Sequence, residues 1–184
     1  MRVFIALPLP GEISAELERW TRLHKSKLPF RKWVHPRDYH ITLQFLGEAA
    51  PERVEAVQAS LRSIRSEPIS LALNGAGTFG SPKAPRVLWS AVSGQTDKLR
   101  TLQAEVVRAM RPHGFVPEER PYSPHITLAR TFAGEGGSPG LDVLSKDLPA
   151  TGWTADRCVL MQTHMGASPM YKAIGEYPFA LPSV

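Results

Sequence analysis

The tetrapeptide His-Ile-Thr-Leu occurs twice in this chain, as His40-Ile41-Thr42-Leu43 and as His125-Ile126-Thr127-Leu128. Each copy lies in an apolar, β-branched run, Tyr39 to Leu46 and Pro124 to Arg130, and such runs predict strands. Side chains alternate between the faces of a strand. Ile41, Leu43 and Phe45 therefore share one face and His40, Thr42 and Gln44 the other. In the second copy Ile126 and Leu128 oppose His125, Thr127 and Ala129. One face is apolar and anchors the strand. The other offers an imidazole and a hydroxyl roughly 7 Å apart along the strand. If the two strands face each other across a cleft, the cleft holds two histidines and two threonines. A single strand histidine is ordinarily a half-buried structural residue. Two identical tetrapeptides in opposite halves of one chain, each in strand context, point to a paired site instead.

With 184 residues the chain can build one compact domain, or one domain of two similar lobes. No run of 18 or more apolar residues is present, so no membrane-spanning helix is expected. The opening Met1-Arg-Val-Phe-Ile-Ala-Leu-Pro8 lacks the length and cleavage site of a signal peptide and reads as a first strand. Cys158 is the single cysteine, which excludes an intrachain disulfide and fits a cytoplasmic home. Its apolar surroundings, Arg157 to Met161, predict a buried strand rather than a nucleophile. The net charge of +5 favours polyanionic partners such as nucleic acid.

Along the chain, residues 2–7 read as a strand and residues 11–25 as an amphipathic helix. Ile13, Leu17 and Trp20 form its core stripe, and His24 is expected at an exposed helix end. A short strand, Arg31 to Val34, and a turn lead into the first motif. Arg31, Lys32 and Arg37 around Trp33 form either a contact zone for phosphate and base or a solvated turn with a core tryptophan. Gly47 is expected to end the motif strand. A helix follows from Pro51, with Val54, Val57, Leu61 and Ile64 buried, and then a strand over 68–74. Asn74 to Gly77 reads as turn and Gly80 to Pro85 as loop. Arg86 to Val92 reads as a strand. Thr96 is expected to cap a helix whose stripe is Leu99, Leu102, Val106 and Met110, with Pro112 and Gly114 ending it. Residues 134–140 are rich in breakers and read as a mobile surface loop, without the pattern of a phosphate-binding loop. Residues 153–162 and 171–179 read as closing strands, and neither Arg157 nor His164 is assigned chemistry. The halves share little beyond the two tetrapeptides and no long linker divides them. The expectation is one pseudo-symmetric bilobal domain over residues 1–184.

A histidine pair suits in-line displacement at phosphorus. One imidazole takes a proton from water while the other gives one to the leaving oxygen, and near neutral pH one neutral and one protonated ring can coexist. Thr42 and Thr127 can donate to the non-bridging oxygens, and Arg130 can add a cation at the edge of the site. Neither tetrapeptide contains a carboxylate, unlike a Mg²⁺-dependent phosphoryl-transfer site. The residues alone leave open which histidine is acid and which is base.

At these positions the chain resembles the 2H phosphoesterases, whose signature is a paired His-x-Thr-hydrophobic motif. More narrowly it resembles the RNA 2′,3′-cyclic phosphodiesterases, also called the 2′-5′ RNA ligase family. The stretches that carry the resemblance are Arg2 to Ala6, Arg31 to Val34, His40 to Gly47, Pro85 to Trp89, Ser123 to Arg130 and the tail around Tyr171. The resemblance implies an α+β bilobal fold with two antiparallel sheets flanking a central cleft and helices outside. It implies hydrolysis of RNA 2′,3′-cyclic phosphate ends to 2′-phosphomonoesters without metal or other cofactor, and an ATP-independent reverse reaction that forms 2′-5′ bonds. Carried over, His40 is the acid that protonates the leaving 3′ oxygen and His125 activates water. Thr42, Thr127 and Arg130 hold the phosphate; the further substrate contact at Trp33 is expected from its basic neighbours, not from the resemblance. The expected partner is RNA bearing such ends, tRNA fragments among the candidates, and the expected state is a monomer.

Three other readings are open. Zinc between the histidines would lack a third ligand near either motif. A non-catalytic RNA-binding module would not need two opposed imidazoles. A phosphodiesterase of the same superfamily acting on 2′-5′-linked oligonucleotides or small cyclic phosphates would use the same phosphate-handling residues.

Overall fold

The computed structural model describes residues 1–134 and 140–179. The alternating apolar runs form β1 (Arg2–Pro8), β2 (Phe30–Trp33), β3 (His40–Glu48), β4 (Ile69–Ser81), β5 (Ala84–Gly94), β6 (His125–Phe132), β7 (Gly152–Ala155), β8 (Arg157–Thr163) and β9 (Tyr171–Pro178). The segments with helical spacing form α1 (Gly11–His24), α2 (Pro51–Arg62) and α3 (Thr96–Met110), joined by the short α4 (Leu141–Ser145), which sequence periodicity had not marked. The architecture is α+β.

The strands pair antiparallel in the order β7-β4-β5-β6-β3-β1-β8-β9, with β2 also on β6. The two motif strands, β3 and β6, are neighbours joined through one residue pair, Ile41 and Ile126. That bridge divides the strands into two similar sets. On one side β1 flanks β3, with β8 and β9 beyond it. On the other, β5 flanks β6, with β4 and β7 beyond it. One apolar core includes Ile5 and Ile41 from the first set and Leu88 and Ile126 from the second, closed by Leu17 and Trp20 of α1 and Leu102 and Val106 of α3.

Strict alternation fails at the same place in both motif strands. Ala6 lies opposite Thr42 and Ile5 opposite Gln44, so Leu43 is an extra residue. Trp89 lies opposite Thr127 and Leu88 opposite Ala129, so Leu128 is extra. A β-bulge of this kind resets which face each later residue occupies. Gln44 and Ala129 consequently turn into the core, where both are buried, while Phe45 and Arg130 emerge exposed. The expected faces of Gln44, Phe45 and Ala129 are thus reversed.

Other expectations are corrected locally. Asn74 to Gly77 is not a turn: β4 runs through it with an irregularity between Leu73 and Ala76, where Gly75 has φ 77°. The positive φ lets the strand bulge and continue instead of reversing. The loop at 80–85 shrinks to a tight turn at Pro82 and Lys83. Gly47 has φ 77° but β3 extends one residue past it, to Glu48. Thr96 is the first residue of α3, preceded by Gln95, and makes no side-chain cap. His24 is buried rather than exposed: its ring meets Trp20 edge-on at 5.3 Å, and its Nε2 lies 3.1 Å from Asp147 Oδ2. Cys158 is buried, as expected, and burial pushes its thiol up to about 11. Within the expected loop at 134–140, residues 135–139 lie outside the described residues.

Candidate active site

The two motif histidines are held in the same way. His40 Nδ1 lies 2.7 Å from the carbonyl of Asp38, and His125 Nδ1 lies 2.7 Å from the carbonyl of Ser123. Each carbonyl belongs to the residue two positions before its histidine. A carbonyl only accepts, so Nδ1 carries the proton in both rings and Nε2 is left as the working nitrogen. His40 Nε2 is 2.9 Å from Thr42 Oγ1. In the neutral ring that nitrogen accepts, and the threonine hydroxyl donates. Thr42 is fixed in turn through its carbonyl, which accepts from the Tyr122 hydroxyl at 2.8 Å.

Each imidazole also has two aromatic neighbours. Phe4 and Tyr171 flank His40 at 4.9 and 5.3 Å between ring centroids. Phe79 and Trp89 flank His125 at 5.0 and 6.5 Å. Trp89 lies against Gly77, where an added Cβ would sit 2.5 Å from the indole. The glycine is therefore required by close approach rather than by a turn. The aromatic walls partly desolvate each ring and weaken its charged form. Burial pushes His40 down to about 4. The Asp38 carbonyl and carboxylate offset part of this, and the positive charge of Arg130 and the nearby His125 add to it. Burial also lowers His125, with the Ser123 carbonyl opposing and Arg130 reinforcing the shift. Both shifts favour the neutral imidazole in the free protein, against the mixed protonation expected from unperturbed values. The positive charge of Arg130 acts on both rings.

Beside His40 opens a groove of about 630 Å³. It is lined by Arg2, Lys32 and Arg130 and by the apolar Phe45 and Met165. Lys32 lies opposite Arg130 in the β2–β6 pairing, so the two cations share a face. Phe45 is 56% exposed and rests against Phe4 at 5.6 Å. Trp33 also borders this groove, but its indole is committed elsewhere. The N–H donates to the Phe30 carbonyl at 3.1 Å, Lys25 sits over the ring at 5.6 Å, and the side chain packs on the main core. Sequence reasoning named His40, Thr42, His125, Thr127 and Arg130 for the site: His40 and Thr42 meet through Nε2 and Oγ1, Arg130 lines the groove, and Thr127 lies opposite Trp89 in the β5–β6 pairing. It missed Phe45, whose signal was its place five residues after His40, matching Arg130 five after His125. It missed Asp38 and Ser123, whose shared offset from the histidines was visible.

The model of the LigT-like phosphoesterase family matches two stretches of the chain, residues 7–89 and 91–171, each containing one tetrapeptide. A Bacillus subtilis (strain 168) protein named RNA 2′,3′-cyclic phosphodiesterase is 36% identical over 176 residues, which cover 95% of this chain and 94% of that protein. A Geobacillus stearothermophilus protein of the same name is 39% identical over 179 residues, covering 95% of this chain and 56% of the relative, so the chain spans little more than half of that longer protein. Among solved structures, Escherichia coli LigT complexed with 3′-AMP superposes with a TM-score of 0.79 at 23% identity over 98% of each chain. A Thermus thermophilus protein does so with a TM-score of 0.69 at 26% identity, over 97% of this chain and 98% of its own. No helix among the described residues is long and apolar enough to cross a membrane.

Proposed function

The chain belongs to the LigT-like phosphoesterases of the 2H superfamily, and on that premise we propose that it hydrolyses RNA 2′,3′-cyclic phosphate ends to 2′-phosphomonoesters, working as one bilobal unit. The observation that carries the reading is the matched anchoring of two imidazoles through Nδ1, each one residue before the Ile41–Ile126 bridge of neighbouring strands, with Arg130 acting on both.

His125, neutral and held through Nδ1, takes a proton from water on Nε2 as the water oxygen bonds to phosphorus. The P–O3′ bond breaks on the opposite side, and His40, as imidazolium, protonates the leaving oxygen. The negative charge of the bound phosphate and the Asp38 carboxylate favour that imidazolium against its desolvation. Thr42 and Thr127 donate to the non-bridging oxygens and Arg130 offsets the charge that builds there. With a 5′-hydroxyl in place of water, the same displacement forms a 2′-5′ link. Phe45 offers an apolar face on which the terminal base stacks, Lys32 and Arg2 meet the preceding phosphates, and Trp33 supports the groove wall. The natural ends are RNA fragments, pieces of tRNA among them, met by a monomer in the cytoplasm.

The test is turnover of an oligoribonucleotide ending in a 2′,3′-cyclic phosphate, with EDTA present and the position of the product phosphate identified. The expected product is the 2′-phosphomonoester. A 3′-phosphate, or turnover only when a divalent metal is restored, would overturn the mechanism. Binding without turnover, together with cleavage of a 2′-5′-linked oligonucleotide, would replace the substrate and keep the site.

A further inference from the structure

The two histidines share one kind of anchor, but the anchors themselves differ. Ser123, behind His125, has only a hydroxyl side chain. Asp38, behind His40, is 4% exposed, and its carboxylate meets the backbone at the start of β9. Oδ2 accepts from the N–H of Met170 at 2.9 Å and Oδ1 from the N–H of Tyr171 at 3.2 Å. Within a short 3₁₀ turn, Pro36–Asp38, the Asp38 N–H donates to the His35 carbonyl at 2.8 Å, and the Tyr39 N–H, in the peptide whose carbonyl holds His40, donates to the Pro36 carbonyl at 3.4 Å. One residue therefore sets the backbone behind the imidazole and also the segment that supplies its aromatic wall. Tyr171 stands edge-on to His40 at 86° and edge-on to Phe4 at 4.8 Å, and its neighbours Ala167, Ser168 and Met170 line the groove.

A neutral residue could have made the turn. A buried carboxylate is costly unless its oxygens are matched by donors and its charge is used. Here two backbone N–H groups match the oxygens, and the ring that must carry positive charge lies next to it. The groups facing His40 are Asp38 below, Tyr171 from β9, and Arg130 and His125 from β6. Asp38 is the one anion among them. We infer that Asp38 is a positioning residue for His40, tying the start of β9 to the imidazole and holding its Nδ1–H orientation and its proton for transfer to the leaving oxygen. The inference rests on the reading of His40 as proton donor.

Asp38→Asn keeps the size and one acceptor but removes the charge and turns an amide N–H toward a backbone N–H. The experiment compares wild type, Asp38→Asn, Asp38→Ser and His40→Ala on the cyclic-phosphate oligonucleotide, with kcat and KM measured across pH. Expected for Asp38→Asn is a fall in kcat of about tenfold to 10²-fold, the scale of a misplaced catalytic group, with KM within about threefold of wild type. The pH limb on which the acid loses its proton should move to lower pH, because the carboxylate that favours the imidazolium is gone. Asp38→Ser, which retains a small acceptor, should show the same displaced limb. The ¹⁵N shifts of His40 read the tautomer without turnover and should show Nδ1–H population falling in either variant. Wild-type kcat and an unmoved limb in folded Asp38→Asn or Asp38→Ser, or an unchanged His40 tautomer, would overturn the inference while His40→Ala remains inactive. Full activity in His40→Ala would overturn the underlying reading instead.

Discussion

His40 illustrates how much depends on a single nitrogen. Its Nδ1 is spent on a carbonyl, so the loss of Nε2 leaves no substitute. His40→Ala and His125→Ala are each expected to lower turnover by about 10²-fold or more, the scale of general acid–base catalysis. Measured kcat near wild type in either variant would contradict the two-histidine mechanism. The pH dependence follows from burial, which lowers both imidazoles in the free protein, His40 to about 4. Catalysis needs one ring protonated and one not, so kcat/KM should be bell-shaped with its maximum below about pH 6.5. Bound phosphate favours imidazolium, so the kcat profile should lie at higher pH than that of kcat/KM; coincident profiles would argue against it. The same shift links to stability. Above the ordinary value of 6.5 the ring is neutral folded or unfolded and contributes nothing. As pH falls from there to about 4, the unfolded chain gains a proton that the folded chain refuses, so stability is lost. The loss is on the order of 3 kcal/mol and levels off below that range. Urea titrations at pH 7 and pH 4.5 should therefore show a smaller acid loss in His40→Gln than in wild type, by about 2 kcal/mol.

Elements were legible where one physical signal dominated. Period-two and period-3.6 patterns located most of the strands and the three longer helices because each buries one face. What stayed hidden depends on pairing between distant segments. The bulges at Leu43 and Leu128 exist only against β1 and β5, so no pattern within β3 or β6 announces them, yet they bring Phe45 and Arg130 onto the site side. Gly75 and Gly77 look like turn residues because turns are the commonest use of glycine. Their actual partners are the bulge in β4 and the Trp89 ring. His24 looked exposed because the burial of the end of α1 depends on the chain near Asp147. Gly77→Ala separates these uses. The φ of Gly77 is not positive, so its backbone would accept alanine, whereas a Cβ pressed 2.5 Å from Trp89 must displace the indole that walls His125. The expected outcome is about 1–3 kcal/mol of destabilisation in thermal melts, together with reduced turnover in the folded fraction. Unchanged melting and rate would mean that the wall is soft.

For the whole molecule, the net charge of +5 is informative because of where cations stand. Arg2, Lys32 and Arg130 line one groove beside His40, and the apolar Phe45 and Met165 line it with them. A basic groove with an aromatic side chain suits a single strand. Contacts with phosphates release counterions, so they are salt-dependent, whereas proton transfer between enclosed groups is not. If Lys32 and Arg2 meet phosphates upstream of the reacting one, the salt slope should depend on substrate length. For a cyclic-phosphate oligonucleotide, log KM should rise with log salt with a slope of about 2, three phosphates at about 0.7 each for a single strand. For a mononucleoside 2′,3′-cyclic phosphate the slope should be near 0.7, with kcat flat in both cases. Lys32→Ala should remove one contact, lowering the oligonucleotide slope by about 0.7 and leaving the mononucleotide unaffected. Equal slopes for the two substrates would mean that only the reacting phosphate is held, and the rest of the basic surface would then have no part in reading the RNA.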